Sequence, residues 1–418
     1  MSKKPMGNSQ SLGIPNLSLR HLKAVMYVAQ HKNLTRAANK LNRSQTAITK
    51  AINDLESNLG VQLFDRSSTG MLPTVYGDAL AKRVIQANAE FEAAGAQYVE
   101  YNKTRSSYQN IPIFTMDVSY KRLAAFIALH DCKEVSAAAQ QLGVTRAAIY
   151  NSVRQLEELL DLCLFEREPN GVTNTAFCTV LARHVKLAFA QIRHAIDDIA
   201  NVNGVTRGKV VVGTLPYTRT ILTPRAINHL LAEQPQLDIA TAEGPYSTLE
   251  AALRCGDLDF IVGAIRPTQS DSSLKTEQLL EDRLALIVRK GHPLESKQNL
   301  SLSDLQHYGW VLPANNTPAR SLFDEVLSRH QLATPEHVVE TSSLSTVRGL
   351  LLESDRIALL SEHQIYYDKQ YGALIPLAIE LTDTYRPIGV TMRAHTAPSP
   401  AAQLFLNSLR IVAKELIQ

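Results

Sequence analysis

The sequence predicts an all-α N-terminal half built from one small element used twice, followed by an α/β half. Three observations point there. The stretch 34–66 recurs without a gap at 135–167, with eleven of thirty-three positions identical. Most shared positions, such as Ala37/Ala138, Leu41/Leu142, Ile48/Ile149 and Leu55/Leu156, are apolar or small and fall at helical spacing, so a packing core recurs. Beyond residue 203 short apolar runs alternate with amphipathic stretches, the order of a parallel sheet covered by helices.

A chain of 418 residues exceeds one ordinary core and suggests about three or four domains. No apolar run reaches the length of a membrane span, and MSKKPMGNSQSLGIPNLS lacks the apolar core of a secretory signal, so a cytoplasmic protein without membrane contact is expected. Cys132, Cys163, Cys178 and Cys255 show neither CxxC nor metal spacing and are expected as free core residues. The net charge of +3 is concentrated at the N-terminal end.

In the first copy Leu19, Leu22, Val25 and Met26 space one helix, and TRAANKLN forms a short second one. Ser44 then caps a third helix, QTAITKAINDLESNLG, whose buried stripe is Ile48, Ile52, Leu55 and Leu59 and whose stop is Gly60. VQLFDRSSTGMLPT reads as a strand, a tip and a return. Two helices joined by a tight turn and followed by a wing form a winged helix-turn-helix. With Ser44 as the cap, Gln45 and Thr46 point outward from the first turn. Thr46, Thr49, Lys50 and Asn53 project at spacing suited to groove entry, while Lys40, Arg43 and Arg66 can reach phosphates; Ser44 is counted with this DNA-binding set. The alternative is a helical packing module that never touches nucleic acid.

The second copy repeats this order with other outward residues. Arg146 stands in place of Gln45, Tyr150 of Thr49 and Asn151 of Lys50, with Arg154 and Arg167 adding positive charge. Glu157, Glu158, Asp161, Glu166 and Glu168 largely cancel that charge, which leaves open a copy kept only for packing. Long helices follow each copy. The expected layout is a first winged helix-turn-helix at 17–75 with its helix at 76–105, and a second at 117–175 with its helix at 176–203. TRSSYQNIPIFTMD, residues 104–117, is the connector.

The run LRHLKAVMYVAQHKNLTRAANKLNRSQTAITKAINDLESNLGVQLFDR resembles the winged helix-turn-helix of the LysR-type transcriptional regulators almost end to end. The resemblance implies that Gln45, Thr46, Thr49 and Lys50 face the major groove and that Arg66 steadies the wing on the backbone. It also implies linker helices that pair antiparallel across two subunits, setting recognition helices about one DNA turn apart. Here both partners lie in one chain, so pairing within the chain is expected.

In the C-terminal half RGKVVVGTL, LDIATAEG and LDFIVGAI read as strands, with PYTRTILTPRAINHLLAEQP as a helix entered after a loop and YSTLEAALRCG as a second helix between them. Ligands of such sheets sit at the C-terminal strand ends. This half, 208–418, is similar to the effector-binding domain of the same family. That likeness implies a periplasmic-binding-protein-like fold with a first lobe at 208–267 and 372–418 and a second at 268–371. Its run is most similar to a subgroup that includes regulators of sugar-uptake and protocatechuate-type catabolic operons.

Strand ends nominate Pro216, Tyr217, Thr218, Pro245, Tyr246 and Arg266 in the first lobe, and Asn315, Asn316, Thr317, Ser343 and Ser345 in the second. Hydroxyls, amides and helix N-termini suit a small polar or carboxylated effector, although Ser, Thr and Asn also cap helices everywhere. No GxSxG, Walker loop or HExxH occurs and the twelve histidines are scattered, so neither a catalytic residue, a cofactor nor a metal is expected. The resemblance thus implies a ligand-responsive regulator binding double-stranded operator DNA, with RNA polymerase as a further candidate partner and association of effector domains into a homo-oligomer expected. A DNA-binding architectural protein without ligand control is the competing reading.

Overall fold

The computed structural model describes residues 17–67, 70–102, 106–169, 171–266 and 273–417; residues 1–16, which hold most of the segment lacking a secretory core, lie outside them. The chain forms two units, Met1–Arg207 and Gly208–Gln418.

The first unit runs α1 (Leu19–His31), α2 (Leu34–Lys40), α3 (Gln45–Leu59), β1 (Phe64–Ser67), β2 (Gly70–Pro73) and α4 (Val75–Tyr101), and then repeats this order. The repeat is α5 (Tyr120–Cys132), α6 (Val135–Leu142), α7 (Arg146–Leu160), β3 (Phe165–Glu168), β4 (Gly171–Asn174) and α8 (Ala176–Val202). Equivalent residues perform equivalent work. Thr74 and Thr175 each accept a backbone N–H and so cap the long helices. The shared Glu56 and Glu157 accept from the N–H groups of Leu63 and Phe64, and of Leu164 and Phe165, tying each third helix to its wing. Gly70 and Gly171 lie so close to the carbonyls of Lys32 and Lys133 that a Cβ would sit 2.4 Å from either oxygen.

Helices α4 and α8 pair antiparallel within this unit, because Arg83 meets Asp198 near one end while Tyr98 packs on Phe177 near the other. The reason is a heptad pattern. Leu80, Val84, Ala87, Phe91, Ala94 and Tyr98 are buried on α4, facing Leu181, Val185, Ala188, Ile192, Ala195 and Ile199 on α8. Polar residues flank this seam at seven-residue spacing. The Arg83 guanidinium donates to Asp198 at 2.7 Å and to Gln191 at 3.3 Å, and His184 lies 2.8 Å from Glu90 and 3.1 Å from Gln97. At the C-terminal end of α4, Tyr98 and Asn102 both donate to the Leu160 carbonyl.

The connector interrupts the helices as expected over its described residues 106–117, and it also packs into the core. Ile111, Ile113, Phe114 and Met116 are buried in the core of this unit. Tyr108 lies edge-on to Phe114 and against Gly95, where a Cβ would come within 2.4 Å of the ring.

The second unit holds nine strands in one sheet: β5 (Lys209–Thr214), β6 (Asp238–Glu243), β7 (Phe260–Ala264), β8 (Leu274–Arg289), β9 (Trp310–Leu312), β10 (Val338–Glu340), β11 (Ile357–Ser361), β12 (Leu374–Pro376) and β13 (Tyr385–Arg393). Its helices are α9 (Leu222–Glu233), α10 (Tyr246–Cys255), α11 (Pro318–Arg329), α12 (Leu344–Leu352), α13 (Tyr366–Gln370) and α14 (Pro400–Ile417). The sheet order is β10-β9-β11-β8-β13-β7-β5-β6, with β12 beside β8. Strands β5, β6 and β7 are parallel, as their alternation with helices predicts. The helix expected within 216–235 after an entering loop is α9, and the loop before it carries a 3-10 turn at Pro216–Arg219.

Two cores flank the long strand β8. One gathers Val212, Leu222, Phe260 and Phe405; the other gathers Leu286, Trp310, Phe323 and Leu359. The lobe limits differ from the expected 268 and 372. Residues Leu274–Arg283 of β8 pair with β13, and Leu280 belongs to the first core, so the chain leaves that core only inside β8. The strand β12 pairs with the far end of β8, and Leu377 and Leu381 join the second core, so the return comes after Leu381. Residues 267–272, across which one limit was expected, lie outside the described residues.

The Glu277 carboxylate receives two hydrogen bonds from Arg410, at 2.7 and 2.9 Å, which fasten α14 to β8. These bonds hold Glu277 below its ordinary value of 4.5. A depressed carboxylate stabilises the fold above its unfolded pKa and loses that contribution as pH falls. Stability measured by urea unfolding should therefore decline as pH drops below about 4.5, and Arg410→Ala should flatten that decline.

Candidate DNA-reading faces and effector cleft

In the first copy Ile48, Ile52 and Leu55 bury one side of α3 and leave the other to solvent. Gln45, Thr46, Lys50 and Asn53 are exposed there and Thr49 is half-buried. The Gln45 amide donates to Thr35 at 3.1 Å, which links the tip of α3 to α2. Ser44 lies apart from this row in role: its hydroxyl accepts from the Ala47 N–H at 3.2 Å and serves as the N-cap. Arg43 lies 3.6 Å from the carboxylate of Asp117. Arg66 falls in β1, but its side chain lies outside the described residues. His21, absent from the sequence-derived set, is held below its ordinary pKa mainly by burial, with Arg43 and Lys50 adding to the effect and Asp54 opposing it.

On α7 the same face carries Arg146, Tyr150, Asn151 and Arg154, all exposed. Tyr150 is 53% exposed, a large ring that the fold itself does not use. Arg154 is 3.3 Å from Glu158 one turn on, and Arg167 stands exposed on β3 between Glu166 and Glu168.

The second unit contains a cleft of about 110 Å³, lined mostly by apolar side chains such as Leu215, Leu284, Val311 and Leu312. Of the nominated residues, Pro216, Tyr217, Arg266 and Thr317 line it. The others do not. Thr218 is fully buried and donates to the Leu215 and Val262 carbonyls, and Ser343 caps α12 by accepting from the Thr346 N–H. Pro245 precedes α10, and Tyr246 packs its ring against the Arg266 guanidinium at 4.4 Å. Asn315, Asn316 and Ser345 are exposed and away from the lining.

Several lining residues escaped the sequence reading, above all Arg386, Gln364 and Thr341. Arg386 donates twice to Asp282, at 3.0 and 2.9 Å, and Asp282 also accepts from Ser361 at 2.5 Å. His363 lies 3.5 Å from Asp282 and 2.9 Å from the Tyr217 hydroxyl. Burial, reinforced by Asp282, pushes the Tyr217 pKa up, so the phenol stays protonated. Arg386 is thus neutralised by its partner. Arg266, which lines the cleft, keeps a buried Nε without a hydrogen bond among the described residues.

Comparison with known proteins follows this division of the chain. Residues 203–414 match the family model of the LysR substrate binding domain. Residues 19–78, and again 120–179, match that of the bacterial regulatory helix-turn-helix protein, lysR family. The HTH-type transcriptional regulator GalR of Pseudomonas putida is 32% identical over 402 residues, covering 96% of this chain and 98% of that one. The HTH-type transcriptional regulator PcaQ of Agrobacterium fabrum is 29% identical over 299 residues, covering 72% and 96%. Full-length OxyR from Pseudomonas aeruginosa, solved as a variant, shares the fold with a TM-score of 0.53 at 20% identity, over 71% of this chain and 97% of that one. CbnR, a LysR family regulator, gives 0.51 at 18% identity over 71% and 99%. The relatives carry the names of regulators, and no helix among the described residues is long and apolar enough to cross a membrane.

Proposed function

Because the chain belongs to the LysR family of bacterial transcriptional regulators, we propose that it lays two DNA-reading heads of a single polypeptide on one operator, in control of a catabolic or uptake operon. The observation that carries this reading is the antiparallel pairing of α4 and α8 inside one chain, which supplies from one polypeptide what two linker helices supply from two subunits. In the first head Gln45, Thr46, Thr49, Lys50 and Asn53 address base edges, with Arg43 and Arg66 on the backbone. In the second Arg146, Tyr150 and Asn151 take the groove, while Arg154 and Arg167 reach phosphates.

A small polar or carboxylated effector enters the cleft of the second unit and pairs with Arg266. Its binding favours one arrangement of the two lobes and through it one arrangement of the heads. The effector units associate into a homo-oligomer, and RNA polymerase is the partner through which bound regulator alters transcription. A second reading, in which only the first head touches bases, draws on the Arg154–Glu158 pair and on the acidic residues that flank Arg167.

DNase footprinting of the intact chain on DNA flanking its own gene separates these readings. Thr46→Ala/Lys50→Ala should erase one half of the footprint and Arg146→Ala/Tyr150→Ala the other, each lost base contact costing about 1–3 kcal/mol. A footprint unchanged by the second pair of substitutions would reduce the second copy to a scaffold.

A further inference from the structure

We propose that Arg20, Lys23 and Arg43 of the first head form a binding site for one phosphate of the DNA backbone, and that Asp117 of the connector occupies this site in the free protein. The proposal rests on the DNA-reading function above. Lys23 Nζ lies 2.7 Å from Asp117 Oδ2, and Arg43 Nη2 lies 3.6 Å from Oδ1. Arg20 donates through Nε and Nη2 to the Asp117 backbone carbonyl, at 3.1 and 2.8 Å. Three cations from α1 and from the turn before α3 therefore converge on one residue, and a single carboxylate leaves them with positive charge to spare.

The arrangement is open to exchange. Arg20 is 55% exposed, Arg43 43% and Asp117 30%, and ion pairs so exposed are weak, whereas Lys23, at 16%, is the more enclosed cation and holds the shortest contact. A phosphate offers more negative charge and more acceptor oxygens than the carboxylate it would replace. The site also adjoins the reading edge, since Arg43 immediately precedes the cap of α3 and acts with Lys50 on His21.

The connector is built to deliver this carboxylate. Met116 is buried with φ at 59°, a left-handed conformation unusual for such a side chain, and the Thr115 hydroxyl donates to Asp117 Oδ2 at 3.0 Å. The site does not belong to the duplicated core: 101 positions on, its three cations become Lys121, Ala124 and Val144. One head alone has it, and the segment that fills it leads to the other.

The test measures affinity of the intact chain for a duplex from upstream of its own gene, and for a scrambled duplex of equal length, across a salt series. Asp117→Asn should bind both duplexes about two- to fivefold tighter, the range of a surface ion pair, and Asp117→Glu should bind as the parent does. The gain should vanish in Asp117→Asn/Arg43→Gln. Arg43→Gln alone should make the slope of log affinity against log salt shallower by about 0.9, one phosphate contact. No gain from Asp117→Asn, or a gain that survives Arg43→Gln, overturns the proposal. Should Asp117→Asn fail to fold, a salt slope unchanged by Arg43→Gln overturns it equally. A parent chain that binds neither duplex would refute the DNA-reading function itself, whereas specific parent binding that is indifferent to these variants would refute this site alone.

Discussion

Asp282→Ala should lower the unfolding free energy of the second unit by about 3–5 kcal/mol, the cost of leaving one member of a buried ion pair uncompensated. Asp282 is 4% exposed and Arg386 8%. Removing the carboxylate strands the guanidinium, strips Ser361 of its acceptor and takes away the charge that faces His363. The effect reaches both cores, because Asp282 and Arg386 stand opposite each other on β8 and β13, while Tyr217 and His363 approach from either side. Trp310, the chain's one tryptophan, is buried in the second core and reports unfolding by fluorescence in urea. An unshifted midpoint would show that Arg386 left without its carboxylate costs nothing. Replacing Asp282 and Arg386 together by apolar residues of similar volume should recover much of the loss.

Arg83→Ala should destabilise the first unit by about 3 kcal/mol. Arg83 is almost wholly buried in the seam between α4 and α8, and its loss leaves Asp198 and Gln191 without the donor that joins them. The cost stays toward the lower end because Asp198 keeps some contact with water. Arg83→Met, which keeps much of the packing of the stem, should cost less than alanine. Thermal melting followed by far-UV circular dichroism reads the helical seam directly. Equal melting of parent and Arg83→Ala would mean that the apolar heptads hold the helices together without this pair.

The duplicated core was legible because identical apolar residues at helical spacing survive an exact shift of 101 residues. The meaning of Glu56 and Glu157 was not legible, since their partners are backbone amides seven and eight residues away across a turn. In the cleft, strand ends pointed to Pro216, Tyr217, Arg266 and Thr317, whereas Ser343 and Thr218 turned out to satisfy local backbone groups. Arg386 and Asp282 could not be paired from sequence: they lie 104 residues apart and meet only because β8 and β13 run side by side. The lobe limits slipped for a similar reason, as one uninterrupted strand serves two cores and no turn residue marks the crossing. Ser, Asn and Pro marked the connector as a break between helices, whereas the burial of its Ile and Phe residues was not legible in so short an irregular stretch.

The helices α3 and α7 are separate stretches of one chain, each in a copy whose long helix, α4 or α8, pairs with that of the other. In a homodimer every change to a recognition helix appears twice, so both halves of its target must change together or not at all. Here a single codon alters one face and spares the other. The two faces are free to drift apart, and their present difference, Gln45 against Arg146 and Lys50 against Asn151, is a record of inheritance that two-fold symmetry would have forbidden.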